Sequence, residues 1–326
     1  MRAVVFDRPG DELVLRVADV TTPVCGPTEV RIRVSGAGVN RADLLQRRGL
    51  YPPPHGASDI LGLECSGSID EVGGEVRSFS TGDRVMALLT GGGYAEQVVA
   101  PAPAVMHVPR GLSEVDAGGL PEVFLTAFLN LFMLGGLESG RTALVHGGSG
   151  GVGTAAIQLI LAAGARPLVT AGSEERCDRC LDLGAQAAFN YRDNDWVKGV
   201  IDATDGGGVD VVLDCVGAPY LGHHLEVLAI GGRLVVIGLQ GGAHADLDLS
   251  LIMKKRLTIV GSTLRARPVA EKGRIVSEFQ KRFGEALESG FIRPIVDRAL
   301  PFDRAPEAHR LLAAGDIFGK VILTPA

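Results

Sequence analysis

From Met1 to about Val108 the apolar residues fall in short alternating runs, of which Glu29-Val30-Arg31-Ile32-Arg33-Val34 is the clearest, separated by clusters of glycine and proline. A period of two sends successive side chains to opposite faces, so this stretch predicts an antiparallel, barrel-like β domain. Asn40 to Arg47 breaks the alternation and reads as a short helix with Asn40 as its cap. Pro52-Pro53-Pro54 then enforces an extended loop.

After Leu120 the rhythm changes to apolar strands alternating with helices, the pattern of crossover units that build a parallel sheet. Strands are expected at 143–146, 167–170, 187–191, 209–214, 233–237 and 257–260, with helices such as 154–163 and 174–183 between them. This is a doubly wound α/β arrangement of about six strands. Beyond Gly261 come a charged amphipathic helix from about Glu271 to Glu288, a run at 294–300, a short helix at 306–314 and an apolar run at 319–323. Such a tail can return to complete the first domain. No internal repeat or low-complexity segment is evident.

At 326 residues two cores are expected, because single cores stop growing at about 250–300 residues. With 46% hydrophobic and 21% charged residues the chain belongs with globular rather than disordered proteins. A net charge of -6 leaves no overall basic footprint for nucleic acid or an anionic membrane, so a phosphate-bearing ligand must find local cations. The apolar run after Met1-Arg2 ends at Asp7, too short for a signal peptide, and Val123 to Leu137 is shorter than the roughly 20 residues that span a bilayer. Five scattered cysteines do not form a disulfide framework. A cytoplasmic setting is the expectation.

Most of the functional information lies in Thr142 to Thr154, which reads as strand, turn and helix. Glycines 148, 150 and 153 have the G-x-G-x-x-G spacing that allows a tight turn, a close approach to pyrophosphate and a closely packed helix whose N-terminal N–H groups face the phosphates. Gly147, Ser149 and Gly151 also spell G-x-S-x-G, the pattern of a hydrolase nucleophile elbow. The third glycine at 153 and the strand units that follow favour the dinucleotide. A hydrolase needs a histidine at a strand end, whereas His309 falls in an expected helix. The expected contact set at the turn is Gly147, Ser149, Gly150, Gly151, Val152 and Gly153.

NAD enzymes place a carboxylate about 20 residues beyond these glycines to hold the ribose hydroxyls. Here the second strand ends Val169-Thr170-Ala171-Gly172-Ser173 with no acid at its tip. Gly172 leaves room, Ser173 offers a hydroxyl, and Arg176 is a charge-assisted donor for a 2'-phosphate, although Glu174 and Glu175 act against it. NADPH is the expected cofactor.

Further segments identify a family: Asn40-Arg41-Ala42-Asp43, Tyr51-Pro52-Pro53-Pro54 before Gly56-Ala57-Ser58, Ile60-Leu61-Gly62-Leu63-Glu64, Thr170-Ala171-Gly172-Ser173 and Phe189-Asn190-Tyr191. With them the chain resembles the medium-chain dehydrogenase/reductase superfamily in its zinc-free quinone oxidoreductase branch, related to zeta-crystallin, and within it the tumour-suppressor-inducible subgroup. The resemblance implies a GroES-like catalytic domain (1–120 and 264–326) with a Rossmann dinucleotide domain (121–263) inserted, and the cofactor in the cleft. It implies that Ser173, Arg176 and Tyr191 surround the 2'-phosphate, that Asn40 and Tyr51 lie near nicotinamide and substrate, and that two chains pair through the last Rossmann strand. Arg176 stands where relatives often carry lysine, and the turn is less alanine-rich than theirs.

Zinc-dependent relatives carry a cysteine in place of Asn40 and a histidine in place of Leu63. Cys177 and Cys180 have ligand-like spacing, but on an expected helix they read as neighbouring thiols. His223, His224 and His244 read as helix-surface or loop residues, so no metal is expected. The function so implied is hydride transfer from NADPH to small quinones, with Asn40 and Tyr51 as donors to the developing oxyanion. An enone or enoyl-thioester reductase and a non-catalytic NADPH-binding protein are the alternatives.

Overall fold

The structure, a computed structural model, describes residues 1–192 and 195–325. Two short antiparallel strands, β1 (Arg2–Val5) and β2 (Arg16–Asp19), precede the long β3 (Glu29–Gly38). In β3 the alternation resolves as expected, with Val30, Ile32 and Val34 buried and Arg33 exposed. Helix α1 (Arg41–Arg47) follows, and then β4 (Glu64–Val72), β5 (Arg84–Leu88), β6 (Gln97–Pro101), β7 (Val105–His107), α2 (Glu114–Ala117) and α3 (Pro121–Phe128). A π-helical segment, Leu129–Leu134, prolongs α3, so the apolar stretch 123–137 is mostly helical. No helix among the described residues is long and apolar enough to cross a membrane.

The next strands are β8 (Thr142–His146), β9 (Arg166–Ala171), β10 (Ala187–Asn190), β11 (Val209–Asp214), β12 (Leu228–Val236) and β13 (Thr258–Gly261). They alternate with α4 (Gly151–Ala162), α5 (Glu174–Asp182), α6 (Trp196–Ala203), α7 (Leu221–Val227) and α8 (Leu249–Lys255). All their pairings are parallel, in the order β10-β9-β8-β11-β12-β13. The chain starts in the middle at β8, runs outward to β10, and resumes at β11 on the other side. That reversal makes the carboxyl end of β8 the switch point at which doubly wound sheets bind ligands. Leu144, Leu168, Val212 and Leu234 from four adjacent strands build a core with Trp196 and Val200 of α6.

The chain then continues as α9 (Val269–Glu288), β14 (Val296–Pro301), α10 (Ala305–Ala314) and β15 (Lys320–Thr324). Strand β15 pairs antiparallel with β3, placing Ile322 against Gly38 and Leu323 against Ala37. Leu300, Phe302, Val321 and Leu323 therefore join the core of Val30, Ile32 and Val34. By its contacts the chain divides into two units, Met1–Leu125 with Leu264–Ala326, and Thr126–Thr263.

A buried polar chain ties α1 to α10 in the first unit. Arg47 lies 3.2 Å from His309 Nδ1, Tyr94 Oη lies 3.3 Å from His309 Nε2, and Tyr94 donates to Asp43 Oδ2 at 3.0 Å. Arginine can only donate, so Nδ1 accepts, Nε2 carries the hydrogen and the ring is neutral. Burial, and then Arg47 and Arg48, push the pKa of His309 down to about 3. The unfolded chain takes up this proton below about pH 6.5, so the stabilisation is complete above that pH and is lost as pH falls toward 3. Burial raises Asp43 to about 6 and Glu122 to about 8, which opposes this loss and masks it in the total. The stability advantage of the wild type over His309→Asn is therefore expected to shrink by about 1.4 kcal/mol per pH unit below about pH 6. Denaturant unfolding of both proteins across that range checks it, and a constant advantage would show that this ring is not the titrating group.

Candidate active site

Between β8 and α4 the backbone turns at Gly147, whose φ of +74° only glycine adopts without strain. The positive φ thus belongs to the glycine before the G-x-G-x-x-G spacing, not to Gly148. A Cβ on Gly148 would meet the branched side chain of Val169 in β9 at 2.7 Å. On Gly153 it would be driven into the Gly147 carbonyl oxygen and the Gly148 backbone, so the third glycine packs the helix onto the turn itself. Gly150 differs: it is the extended N-cap of α4 (φ -83°, ψ 174°), and an added Cβ would stand 3.4 Å from the Gly147 oxygen. Nothing in the fold requires glycine there, and its bare backbone leaves room for a ligand to approach closely. Gly151, Val152 and Gly153 form the first turn of α4, whose leading N–H groups suit a phosphate.

Ser149 is half-buried on this turn. The imidazole nearest in sequence, His146, is committed on both nitrogens, to Thr170 Oγ1 at 2.9 Å and to His224 Nε2 at 3.0 Å. With His309 held by Arg47 and Tyr94, neither ring is available as the base a nucleophile elbow needs. His224 corrects the sequence-based expectation: it is fully buried and lies 3.8 Å from Asp214 rather than on a helix surface. Burial depresses the pKa of both histidines, to about 3 for His224, so the pair is neutral. The pair and its neighbours Thr170 and Asp214 lie on β8, α7, β9 and β11, and only the tertiary fold brings them together.

At the tip of β9 the expected residues do converge. Tyr191 follows β10, which pairs with β9, and its N–H donates to the Ala171 oxygen. A Cβ on Gly172 would lie 2.8 Å from the hydroxyl of the exposed Tyr191, which therefore packs close against the strand tip. Ser173 is the N-cap of α5, and its Oγ accepts from the Arg176 N–H at 3.3 Å. Its own hydroxyl hydrogen stays available to a ligand oxygen. Arg192, which the sequence reading passed over, stands exposed next to Tyr191. Cys177 and Cys180 are buried on α5 as ordinary helical thiols.

The first unit holds a different constellation. Asn40 is the N-cap of α1, and Asp43 Oδ2 accepts from its backbone N–H. Its amide donates to the Gly38 oxygen (3.2 Å) and to Glu64 Oε1 (2.9 Å) and accepts from Lys320 Nζ (2.7 Å). Lys320 also pairs with Glu64 Oε1 at 2.7 Å, while Glu64 Oε2 accepts from the N–H of Glu122. Every polar atom of the Asn40 side chain thus has a partner within the protein, and Asn40 organises this cluster. Tyr51 is half-buried, with the Arg265 guanidinium 5.4 Å from its ring centre. Arg265 also donates to Thr90 O and Gln46 Oε1, both at 2.7 Å, and so ties the Tyr51 loop to α1. Neither Glu64 nor Lys320 stands out in the sequence, although a charge within an apolar run, as in Leu61-Gly62-Leu63-Glu64-Cys65, signals a buried pair.

Comparison with known proteins bears on both units. Residues 26–110 match the alcohol dehydrogenase GroES-like domain, and residues 151–280 match the family described as zinc-binding dehydrogenase. Quinone oxidoreductase of Rattus norvegicus is 31% identical over 99% of this chain and 97% of its own. The chain belongs to the medium-chain dehydrogenase/reductase superfamily. Among solved members of the superfamily, an NAD-dependent alcohol dehydrogenase aligns over the whole of both chains at a TM-score of 0.88 and 34% identity. A quinone oxidoreductase of Escherichia coli in complex with NADPH does so at 0.87 and 27%.

Membership in the superfamily makes the chain an oxidoreductase built from a GroES-like domain and a Rossmann-like parallel sheet. Where its zinc-dependent members carry thiolate and imidazole, this chain presents the committed amide of Asn40 and the buried Leu63. That pair does not suit zinc. Among the described residues no group of three or more His, Cys, Asp or Glu side chains is arranged to hold a metal ion.

Proposed function

We propose that the second unit binds NADPH and that the protein uses it to reduce small quinones. The observation that supports the cofactor assignment is the tip of β9, where Gly172 stands in place of a carboxylate with Tyr191 close against it, and where Ser173 and Arg176 at the start of α5 offer a hydroxyl and a cation. Gly147 to Gly153 supply the turn and helix N-terminus for the pyrophosphate. When bound, NADPH supplies a hydride from its nicotinamide. The quinone assignment is supported by the quinone oxidoreductases among the relatives. Tyr51, on its half-exposed loop, is the donor left to stabilise negative charge on the acceptor's oxygen once Asn40 is accounted for.

A charged phosphate contact contributes about 1.5–3 kcal/mol, so Arg176→Ala is expected to weaken NADPH by about ten- to a hundredfold and leave NADH nearly unchanged. Calorimetric titration of both cofactors tests this, and equal losses would remove Arg176 from the 2'-phosphate site. The acceptor is tested by following NADPH absorbance over a series of quinones and enones; turnover of enones alone would replace the quinone reading. As a further part of the same reading, two copies pair through β13, an edge strand with Ile259 exposed on it and Met253 exposed just before it. Sedimentation is expected to give twice the chain mass, and a monomer would overturn the pairing.

A further inference from the structure

The loop that carries Tyr51 has little of its own to hold it. Pro52, Pro53 and Pro54 have no N–H to donate. Among the described residues the hydrogen bonds within the loop run from the Ala57 N–H to the Pro54 carbonyl (3.0 Å) and from the Ile60 N–H to Ser58 Oγ (3.2 Å). Its two ends are held instead by side chains from elsewhere. At one end the Arg265 guanidinium lies 5.4 Å from the centre of the Tyr51 ring and makes a long hydrogen bond, 3.4 Å, to the Tyr51 carbonyl. At the other end Gln46 of α1 donates its amide to the Asp59 carbonyl at 2.9 Å. The two holds are joined, because Gln46 Oε1 accepts from Arg265 at 2.7 Å. Arg265 donates to the Thr90 carbonyl as well, and its own carbonyl accepts from Lys272 Nζ, both at 2.7 Å. Arg265 is 3% exposed and all three of its acceptors are neutral oxygens, so among the described residues a buried charge is kept here without an ion pair. Burying such a charge is costly, and an apolar side chain of similar volume would avoid the cost. What an apolar side chain lacks is a planar fork that reaches several acceptors at fixed angles.

We propose that Arg265 is the positioning residue of Tyr51: through its fork and through Gln46 it fixes both ends of the loop, so that the Tyr51 hydroxyl meets the substrate oxygen as charge develops there. The inference rests on the reading of Tyr51 as the donor to the reduced acceptor. Arg265 touches no reacting atom and exchanges no proton; it acts through the order it gives the loop. Without that hold the hydroxyl would occupy many positions away from the substrate, and a displacement of about 1 Å from productive geometry can cost about a hundredfold in rate. A lysine at this position keeps the charge, but its hydrogens leave from one atom and cannot serve Gln46, Thr90 and Tyr51 as the planar fork does.

The test is a double-mutant cycle on the whole protein with NADPH and a benzoquinone, using wild type, Arg265→Lys, Tyr51→Phe and the two substitutions together. Arg265→Lys should lower kcat by about tenfold with the KM for the quinone little changed. In the Tyr51→Phe background the same substitution should have almost no further effect, because the hydroxyl that it positions is gone. Gln46→Met, which keeps a side chain of similar length and removes both hydrogen bonds of Gln46, should reproduce this pattern, and it carries the cycle if Arg265→Lys does not fold. A loss that persists undiminished in Tyr51→Phe, or an Arg265→Lys protein with wild-type kcat, overturns the proposal while leaving Tyr51 in place. So does a chain that folds with neither substitution, since the clamp would then be a stability element alone. Unchanged kcat in Tyr51→Phe removes the reading of Tyr51 itself, and the positioning role with it.

Discussion

Gly150→Ala is expected to fold normally and lose dinucleotide affinity by about a hundredfold, near 2.7 kcal/mol, whereas Gly153→Ala is expected to lose stability first. The two glycines share one motif but do different things. The backbone of Gly150 is extended and an added methyl finds ordinary contact distance within the protein, so any loss must come from the ligand side, where the proposed pyrophosphate would approach the bare backbone. A methyl on Gly153 collides with the Gly147 oxygen and the Gly148 backbone, which cannot rotate away as a side chain can. Overpacking of this kind costs about 1–3 kcal/mol, so the midpoint of thermal unfolding should fall by several degrees before any ligand is added. Calorimetry of the two variants with and without NADPH separates the roles. A Gly150→Ala protein that binds like the wild type would leave the turn without its proposed ligand.

Tyr51→Phe is expected to lower kcat by up to about a hundredfold, because one donor to a developing oxyanion contributes about 3 kcal/mol at most. The loss should lie in kcat rather than KM if the hydrogen bond forms only as charge develops. The phenyl ring keeps the stacking of Arg265 and the loop's tie to α1, so the substitution removes the hydroxyl and little else. Steady-state kinetics with one quinone and one enone provide the readout. If the ring only packs, Phe will be nearly neutral and Ala will act through KM.

Elements with a local cause are legible in the chain alone. Period-two alternation made β3 a half-buried strand, and the strand-glycine-helix order placed the turn after β8. The missing acid after β9 was legible because it is an identity at a fixed distance from the glycines. Even there, which glycine bears the positive φ waited for the backbone, since all of Gly147, Gly148, Gly150, Gly151 and Gly153 satisfy some version of the spacing. Tertiary structure alone decided what depends on partners far along the chain. Asn40 lost its free amide to Glu64 and to Lys320, 280 residues away, and His224 was taken into the core by His146, 78 residues away. A buried polar group must be satisfied by whichever donor or acceptor the fold brings within about 3 Å. Local pattern can mark such a residue as a candidate, but only the three-dimensional arrangement assigns its partner.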